Sequence, residues 1–347
     1  MMTREELTAV LGAPLGEAAN DRELFAAAVE VRNRTVGDRV YLRGLIELSN
    51  RCRKNCLYCG IRRGHLGVER YELTDEQVLA AAERAWRSGY GSVVIQAGER
   101  TDGAFTERVE RLVGRMKTLS NGELGITLSL GEQSRETYRR WFAAGVHRYL
   151  LRIETSSPEL YARIHPADHD YDRRLECLRA LREEGYQVGT GVMIGLPGQT
   201  VESLADDLLF FKALDIDMCG MGPYIEAPGT PLAAVEAPFS RAERLQLALR
   251  MIALLRLSMP DINIASTTAL HALHPQGREL GVAAGANVMM PNLTPEAVRG
   301  DYKLYDNKPL QDMDLQGFNV ALDNGWGDSR HFALRRLNVC VSAESQK

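Results

Sequence analysis

Cys52, Cys56 and Cys59, in the run Cys52-Arg-Lys-Asn-Cys56-Leu-Tyr-Cys59, are the residues whose type and spacing best suit them to chemistry. A C-x3-C-x2-C spacing lets three thiols point into one small volume, and soft thiolates so gathered favour iron–sulfur or zinc ligation over hard cations. No fourth Cys or His follows at the interval of a zinc knot, and only His65 and Asn50 lie near enough in sequence to complete the set. Three protein ligands leave one metal position open to an outside molecule, as a reaction centre requires. A closed zinc knot is the structural alternative.

The elements that must carry this loop follow from periodicity. Short apolar segments at 41–48, 91–95, 124–130, 148–152, 188–194, 218–221, 262–266 and 286–290 read as eight strands. Helical patterns at 74–87, 105–117, 134–144, 172–184, 200–214 and 240–257 separate most of them, and Ser240-Arg-Ala-Glu243 has the form of a capping box. Parallel neighbours need such long crossovers, so the alternation predicts an α/β chain closed as a (β/α)8 barrel of the TIM type, with an open doubly wound sheet as the alternative. Before it, a capping box at Thr3–Glu6 and a helix over 22–33 form an N-terminal extension, read as a brace or lid or as plain packing. The expected division is 1–38 for that extension, 39–294 for the barrel and 295–347 for an irregular tail.

In a parallel barrel, function collects where strands end. The cysteines follow the first strand, Gln96-Ala-Gly-Glu99 the second, Ser129-Leu-Gly-Glu132 the third, and Arg152-Ile-Glu154 ends the fourth. Gly195-Leu-Pro-Gly198, Gly222-Pro-Tyr224, Thr267-Thr268 and Met290-Pro-Asn292 complete the rim. Arg152 and Glu154, two apart on a strand, share a face, so they either pair or serve a polar ligand.

Composition narrows the class. A hydrophobic fraction of 45% and a charged fraction of 25% over 347 residues fit an ordinary globular protein with a sizeable core. A net charge of −4 provides no footprint for nucleic acid, and no apolar run reaches the length of a membrane span. The first residues lack the profile of a secretory signal, and three clustered plus three scattered cysteines make no disulfide framework. The expected location is therefore the reducing cytoplasm.

The three cysteines, with aromatic Tyr58 before the last, resemble the signature of the radical S-adenosylmethionine (SAM) enzymes. That resemblance implies one 4Fe-4S cluster on Cys52, Cys56 and Cys59, with the SAM amino and carboxylate groups on the remaining iron. It also implies an external one-electron reductant, and cleavage of SAM to methionine and a 5′-deoxyadenosyl radical that abstracts hydrogen from a substrate. Gln96-Ala-Gly-Glu99 is similar to the family's Gly-Gly-Glu stretch, which takes the SAM ammonium, with Gly98 and Glu99 matching. By the same resemblance Glu154 holds the ribose hydroxyls, Arg173 or its neighbour Arg174 meets the methionine carboxylate, and Gly191-Val-Met193-Ile-Gly195 packs the adenine. With Tyr58, Gln96 and Ser129, these are the expected cofactor contacts.

Five further stretches resemble, in order, the FeFe-hydrogenase maturase family HydE: Thr127–Glu132, Tyr149–Thr155, Gly195–Thr200, Thr267–Ala269 and Met290–Thr294. The likeness runs from about Val31 to Tyr305 and places the chain in the branch shared with biotin synthase and methylornithine synthase (PylB). It implies a small cysteine-bound iron carbonyl cyanide complex as substrate, held by Arg152, Thr127, Thr267, Thr268, Met221, Met290 and Tyr305, and other hydrogenase maturases as partners. Three features depart from that pattern. Ile153 stands where the maturase carries histidine, the tail after Tyr305 lacks a cysteine triplet, and 311–324 matches nothing in the family. The alternatives are an amino-acid radical mutase like methylornithine synthase and a non-catalytic metal scaffold.

Overall fold

In a computed structural model that describes residues 2–14 and 18–309, the apolar segments form eight parallel strands. They are β1 (Tyr41–Ser49), β2 (Ser92–Ala97), β3 (Gly125–Ser129), β4 (Arg148–Leu150), β5 (Gln187–Thr190), β6 (Met218–Cys219), β7 (Asn263–Ile264) and β8 (Val288–Met289). Their order in the sheet is β8-β1-β2-β3-β4-β5-β6-β7. The two ends meet at a parallel Ala265–Val288 bridge, where the Ser266 amide donates to the Val288 carbonyl at 2.8 Å and the Asn287 amide to that of Ile264 at 3.0 Å. Sequential order with meeting ends makes this the (β/α)8 barrel and removes the doubly wound alternative, which would show a switch point.

Outside the barrel lie α3 (Asp75–Arg87), α4 (Gly103–Leu119), α5 (Arg135–Ala143), α6 (Pro158–Ile164), α7 (Tyr171–Glu183), α8 (Val201–Ala213) and α9 (Arg241–Ser258). They are preceded by α1 (Arg4–Leu11) and α2 (Ala18–Thr35), and followed by the short α10 (Thr268–Leu273), α11 (Gly277–Ala283) and α12 (Glu296–Arg299). The capping boxes at Thr3, Thr74 and Ser240 are all formed, each hydroxyl accepting from the third residue on. The six long helices start within two residues of their expected positions because a side-chain cap fixes each first turn, a hydroxyl at Thr74, Ser134, Thr200 and Ser240 and a carboxylate at Asp102 and Asp170.

Strand ends differ more. The segment expected as one strand at 188–194 breaks at Gly191, where a Cβ would lie 2.3 Å from the Gly220 carbonyl oxygen. Beyond the break, Met193–Ile194 pairs instead with Gly222–Pro223 in a small second ladder at the mouth. Likewise β4 stops at Leu150, and Glu154 sits in the left-handed region at φ 68°. Helix α6 was not expected, being too short for its apolar period to register.

The N-terminal extension packs against the barrel wall rather than over the mouth. Leu7 and Leu11 join the main core, and Arg250 of α9 grips Asp21 at 2.7 Å and the carbonyls of Leu11, Ala13 and Pro14. Arg32 of α2 donates to the carbonyls of Val282 and Ala286, just before β8. Residues 310–347, including Cys340 and the stretch 311–324, lie outside the described residues.

Candidate active site

The loop between β1 and α3 is fastened at many points before any ligand arrives. Arg70 donates to four of its carbonyls, those of Asn50, Ile61, Arg62 and His65, at 2.6 to 3.2 Å. The Arg53 amide meets the Glu99 carbonyl at 2.9 Å, and the Glu99 amide points at Cys52 Sγ at 3.3 Å. Gly98 permits this approach: a Cβ there would stand 2.5 Å from the Arg51 carbonyl oxygen and 2.7 Å from Cys52 Cβ.

So held, all three cysteines line one cavity at the C-terminal mouth of the barrel. Burial pushes each thiol above its usual range, Cys56 to about 12. No fourth Cys and no His stands among the described residues lining the cavity, so the three thiols suit an open cluster better than a closed zinc knot. Neither candidate for a fourth ligand serves. The Asn50 amide is consumed by the carbonyls of Glu69 and Asp301 and the amide of Tyr71. His65 Nδ1 turns to the Gly60 carbonyl at 2.7 Å, and the ring lines a separate outer cavity.

Charge surrounds the thiols in alternation. Glu132, at the end of the β3 loop, accepts from Lys54 at 2.8 Å and from Arg174 at 2.7 Å. Burial alone would raise its carboxyl, but those two cations hold it down at about 2. Glu99 is raised by burial and by the neighbouring Glu132, with Arg53 and Lys54 as its counter-charges. Arg152 pairs with Glu154 at 3.1 Å and donates to the Val192 carbonyl at 2.8 Å. The left-handed Glu154 is locked by amide bonds with Gly191 and Met193, both at 3.0 Å.

Of the residues singled out by sequence, Tyr58, Gln96, Gly98, Glu99, Ser129, Arg152, Glu154, Met193 and Tyr305 face this cavity beside the cysteines. The others stand apart from its wall. Arg173 is turned outward to Glu176 and the Gln133 carbonyl, and its neighbour Arg174 faces inward instead. Helical spacing explains the exchange, since adjacent residues lie about 100° apart and only one can look into the barrel. Met221 is 1% exposed in the hydrophobic core, and Met290 is half-buried outside the cavity wall. Thr127 lies on β3, two residues deeper than Ser129 and on the same face. Its hydroxyl and that of Thr267 are buried with no partner among the described residues, while Thr268 meets the Tyr305 hydroxyl at 2.6 Å. Ile153 is wholly buried in the core, so its departure from the family pattern does not alter the cavity wall.

Sequence reading missed Lys54 as a charge partner, Tyr302 and Leu304 as cavity wall, and His165 and His169 beneath the cysteine loop. Lys54 had a visible signal, lying between the first two cysteines. The histidines had none, because more than a hundred residues separate them from the loop they touch.

A parallel barrel whose first loop carries three thiols into an apolar cavity rimmed with paired charges defines a radical SAM enzyme, and residues 46–211 match the radical SAM superfamily. Over 306 residues the chain is 44% identical to the [FeFe] hydrogenase maturase subunit HydE of Thermotoga maritima, covering 88% of this chain and 84% of that protein, and it belongs to that family. The crystal structure of methylornithine synthase (PylB) superposes with a TM-score of 0.73 at 25% identity, covering 98% of this chain and 93% of that one. The FeFe-hydrogenase maturase HydG from Carboxydothermus hydrogenoformans shares the fold, with a TM-score of 0.77 at 20% identity over 93% of this chain and 74% of that one.

Members of this superfamily use a 4Fe-4S cluster and SAM, and Cys52, Cys56 and Cys59 fit the cluster. Cys52, Cys56 and Cys59 would hold that cluster, which would supply the electron for cleavage of SAM. The chain itself provides three soft ligands and three carboxylates, Glu99, Glu132 and Glu154, with fixed counter-ions.

Proposed function

We propose that this radical SAM enzyme serves in the maturation of an FeFe hydrogenase, on a small anionic, soft-ligand substrate such as a cysteine-bound iron carbonyl cyanide complex. The identity of 44% across 88% of the chain supports the role. One observation carries the substrate class: Arg152 and Tyr305 line the cavity that holds the thiols, where a guanidinium and a phenol suit cyanide and carboxylate groups. Deeper on the same face of β3, Thr127 keeps a hydroxyl with no partner among the described residues, and Thr267 keeps another. SAM fits the charged rim, with its ammonium toward Glu99, its ribose toward Glu154 and its carboxylate toward Arg174. We place the enzyme in the cytoplasm, fed by an external one-electron reductant and handing its product to other maturases; no described helix is long and apolar enough to cross a membrane.

The test is anaerobic reconstitution followed by dithionite and SAM. Formation of 5′-deoxyadenosine is expected, and its rate should change when a synthetic cysteine-bound iron carbonyl cyanide complex is added. Isotope transfer from a free amino acid into deoxyadenosine, with no response to the complex, would instead assign the chain to the mutase reading that the PylB superposition supports. In Arg152→Ala, SAM affinity should hold while substrate-dependent turnover falls by about ten- to a hundredfold, the loss of one charged hydrogen bond. Loss of SAM affinity alone would move Arg152 to the cofactor.

A further inference from the structure

Beneath the cysteine loop, the crossover from β4 to α7 presses two histidines against it. His165 is 3% exposed, and its Nδ1 lies 2.9 Å from the Tyr161 carbonyl, which can only accept. That bond fixes the proton on Nδ1 and leaves Nε2 as an acceptor. The acceptor lies 3.3 Å from the Tyr58 hydroxyl, which therefore donates to it.

The imidazole cannot turn away from this role. It is stacked on the Tyr161 ring at 3.9 Å and 27°, with the His169 ring 5.7 Å distant and tilted by 31°. Its plane meets that of Tyr58 edge-on, at 5.4 Å and 86°. Two backbone bonds hold the loop to the same crossover. Leu57 donates to the Ile164 carbonyl at 3.0 Å, and Asn55 to His169 Nε2 at 3.2 Å. Leu57, Tyr58 and Met193 pack together on Leu160 and Ile164, an apolar cluster separate from the main core. Tyr58 thus has its hydroxyl anchored on His165 and lines the cavity together with the cysteines and Met193.

We infer that His165 is a positioning residue: by accepting from the Tyr58 hydroxyl it fixes the tilt of that ring, and so the surface on which the SAM nucleoside base rests. The inference rests on the reading that Tyr58 touches SAM. Its consequence is specific. The Tyr58 side chain also hydrogen-bonds the Cys56 thiol, but Arg70, Glu99 and the backbone hold the cysteine loop, so loss of the bond to His165 affects SAM and spares the cluster.

The experiment uses the full-length reconstituted holoenzyme, with dithionite as reductant and 5′-deoxyadenosine as the product followed against SAM concentration. His165→Phe keeps the stacked ring and deletes the acceptor, Tyr58→Phe deletes the donor, and His165→Gln restores an acceptor. Each Phe variant should raise KM for SAM roughly three- to tenfold, the range of one hydrogen bond, with kcat, iron content and visible absorption unchanged. The double variant should be no worse than either single, and His165→Gln should recover most of the loss. An unchanged KM in both Phe variants, full additivity in the double, or iron lost in step with KM would each overturn the inference. Tyr58→Leu separates the two levels. A raised KM there with none in His165→Phe defeats the histidine alone, whereas no change in Tyr58→Leu removes Tyr58 from the SAM site altogether.

Discussion

Cys52, Cys56 and Cys59 have burial-raised thiols in the unloaded chain, so iron must displace their protons, and each lost ligand leaves one iron uncapped. Replacing any of the three by Ala should abolish the visible absorption of the reconstituted protein. Cys177→Ala and Cys219→Ala should keep it, since both thiols are buried away from the cavity. Asp207 tells a different residue-scale story. It is wholly buried on α8, with Oδ1 accepting from the Ser156 amide at 2.6 Å and Oδ2 without a partner among the described residues, and burial raises its carboxyl to about 7. A folded carboxyl above its unfolded value binds its proton more tightly in the fold. Its stabilising share is therefore complete below about pH 4 and is lost as pH climbs to about 7. Asp207→Asn should flatten that decline and gain about 1–3 kcal/mol over the native chain at pH 8 relative to pH 5, measured by denaturant midpoints.

At the scale of elements, the site is a set of strand ends and the turns that let them meet. Gly98 brings the β2 loop against the cysteines at a distance no side chain allows, and Gly131, at φ 76°, leaves room for Glu99, whose Cγ would be 2.4 Å from a Cβ. Gly98→Ala should force the two loops apart, costing about 1–3 kcal/mol and lowering cluster occupancy, while the distant surface change Gly114→Ala, with nothing near its Cβ, serves as the control. Iron content and thermal midpoint measured together would show it. Glycines at loop crossings were visible in the sequence as Gly/Pro punctuation. Which neighbour each one admits was not, because that depends on a partner segment distant in sequence, the cysteine loop for Gly98 and Glu99 for Gly131.

For the whole molecule, the barrel is braced from behind by the N-terminal extension. The buried Arg250 depends on Asp21, and removal of that one carboxylate strands a guanidinium in the core. Asp21→Ala should cost about 3 kcal/mol and lower the melting temperature, while the specific activity of the folded fraction stays unchanged because the pair lies outside the cavity. An equal loss of activity per folded molecule would show that the brace reaches the site.

Sequence by itself determined the eight-fold alternation of strand and helix, the capped helix starts and the three-thiol loop, because these are set by residues within a few positions of one another. It also brought Gln96, Glu99, Ser129, Arg152 and Glu154 to one rim, since strand ends in a parallel barrel share a face. Tertiary structure alone decided that Arg174 rather than Arg173 looks inward, that Glu154 reaches Arg152 from a left-handed turn rather than a strand, and that Met221 belongs to the core. It alone placed His165 under Tyr58. Such choices depend on how far each strand runs before its neighbours end and on what packs behind it, and no local pattern encodes a contact whose two partners are joined only by the closing of the barrel.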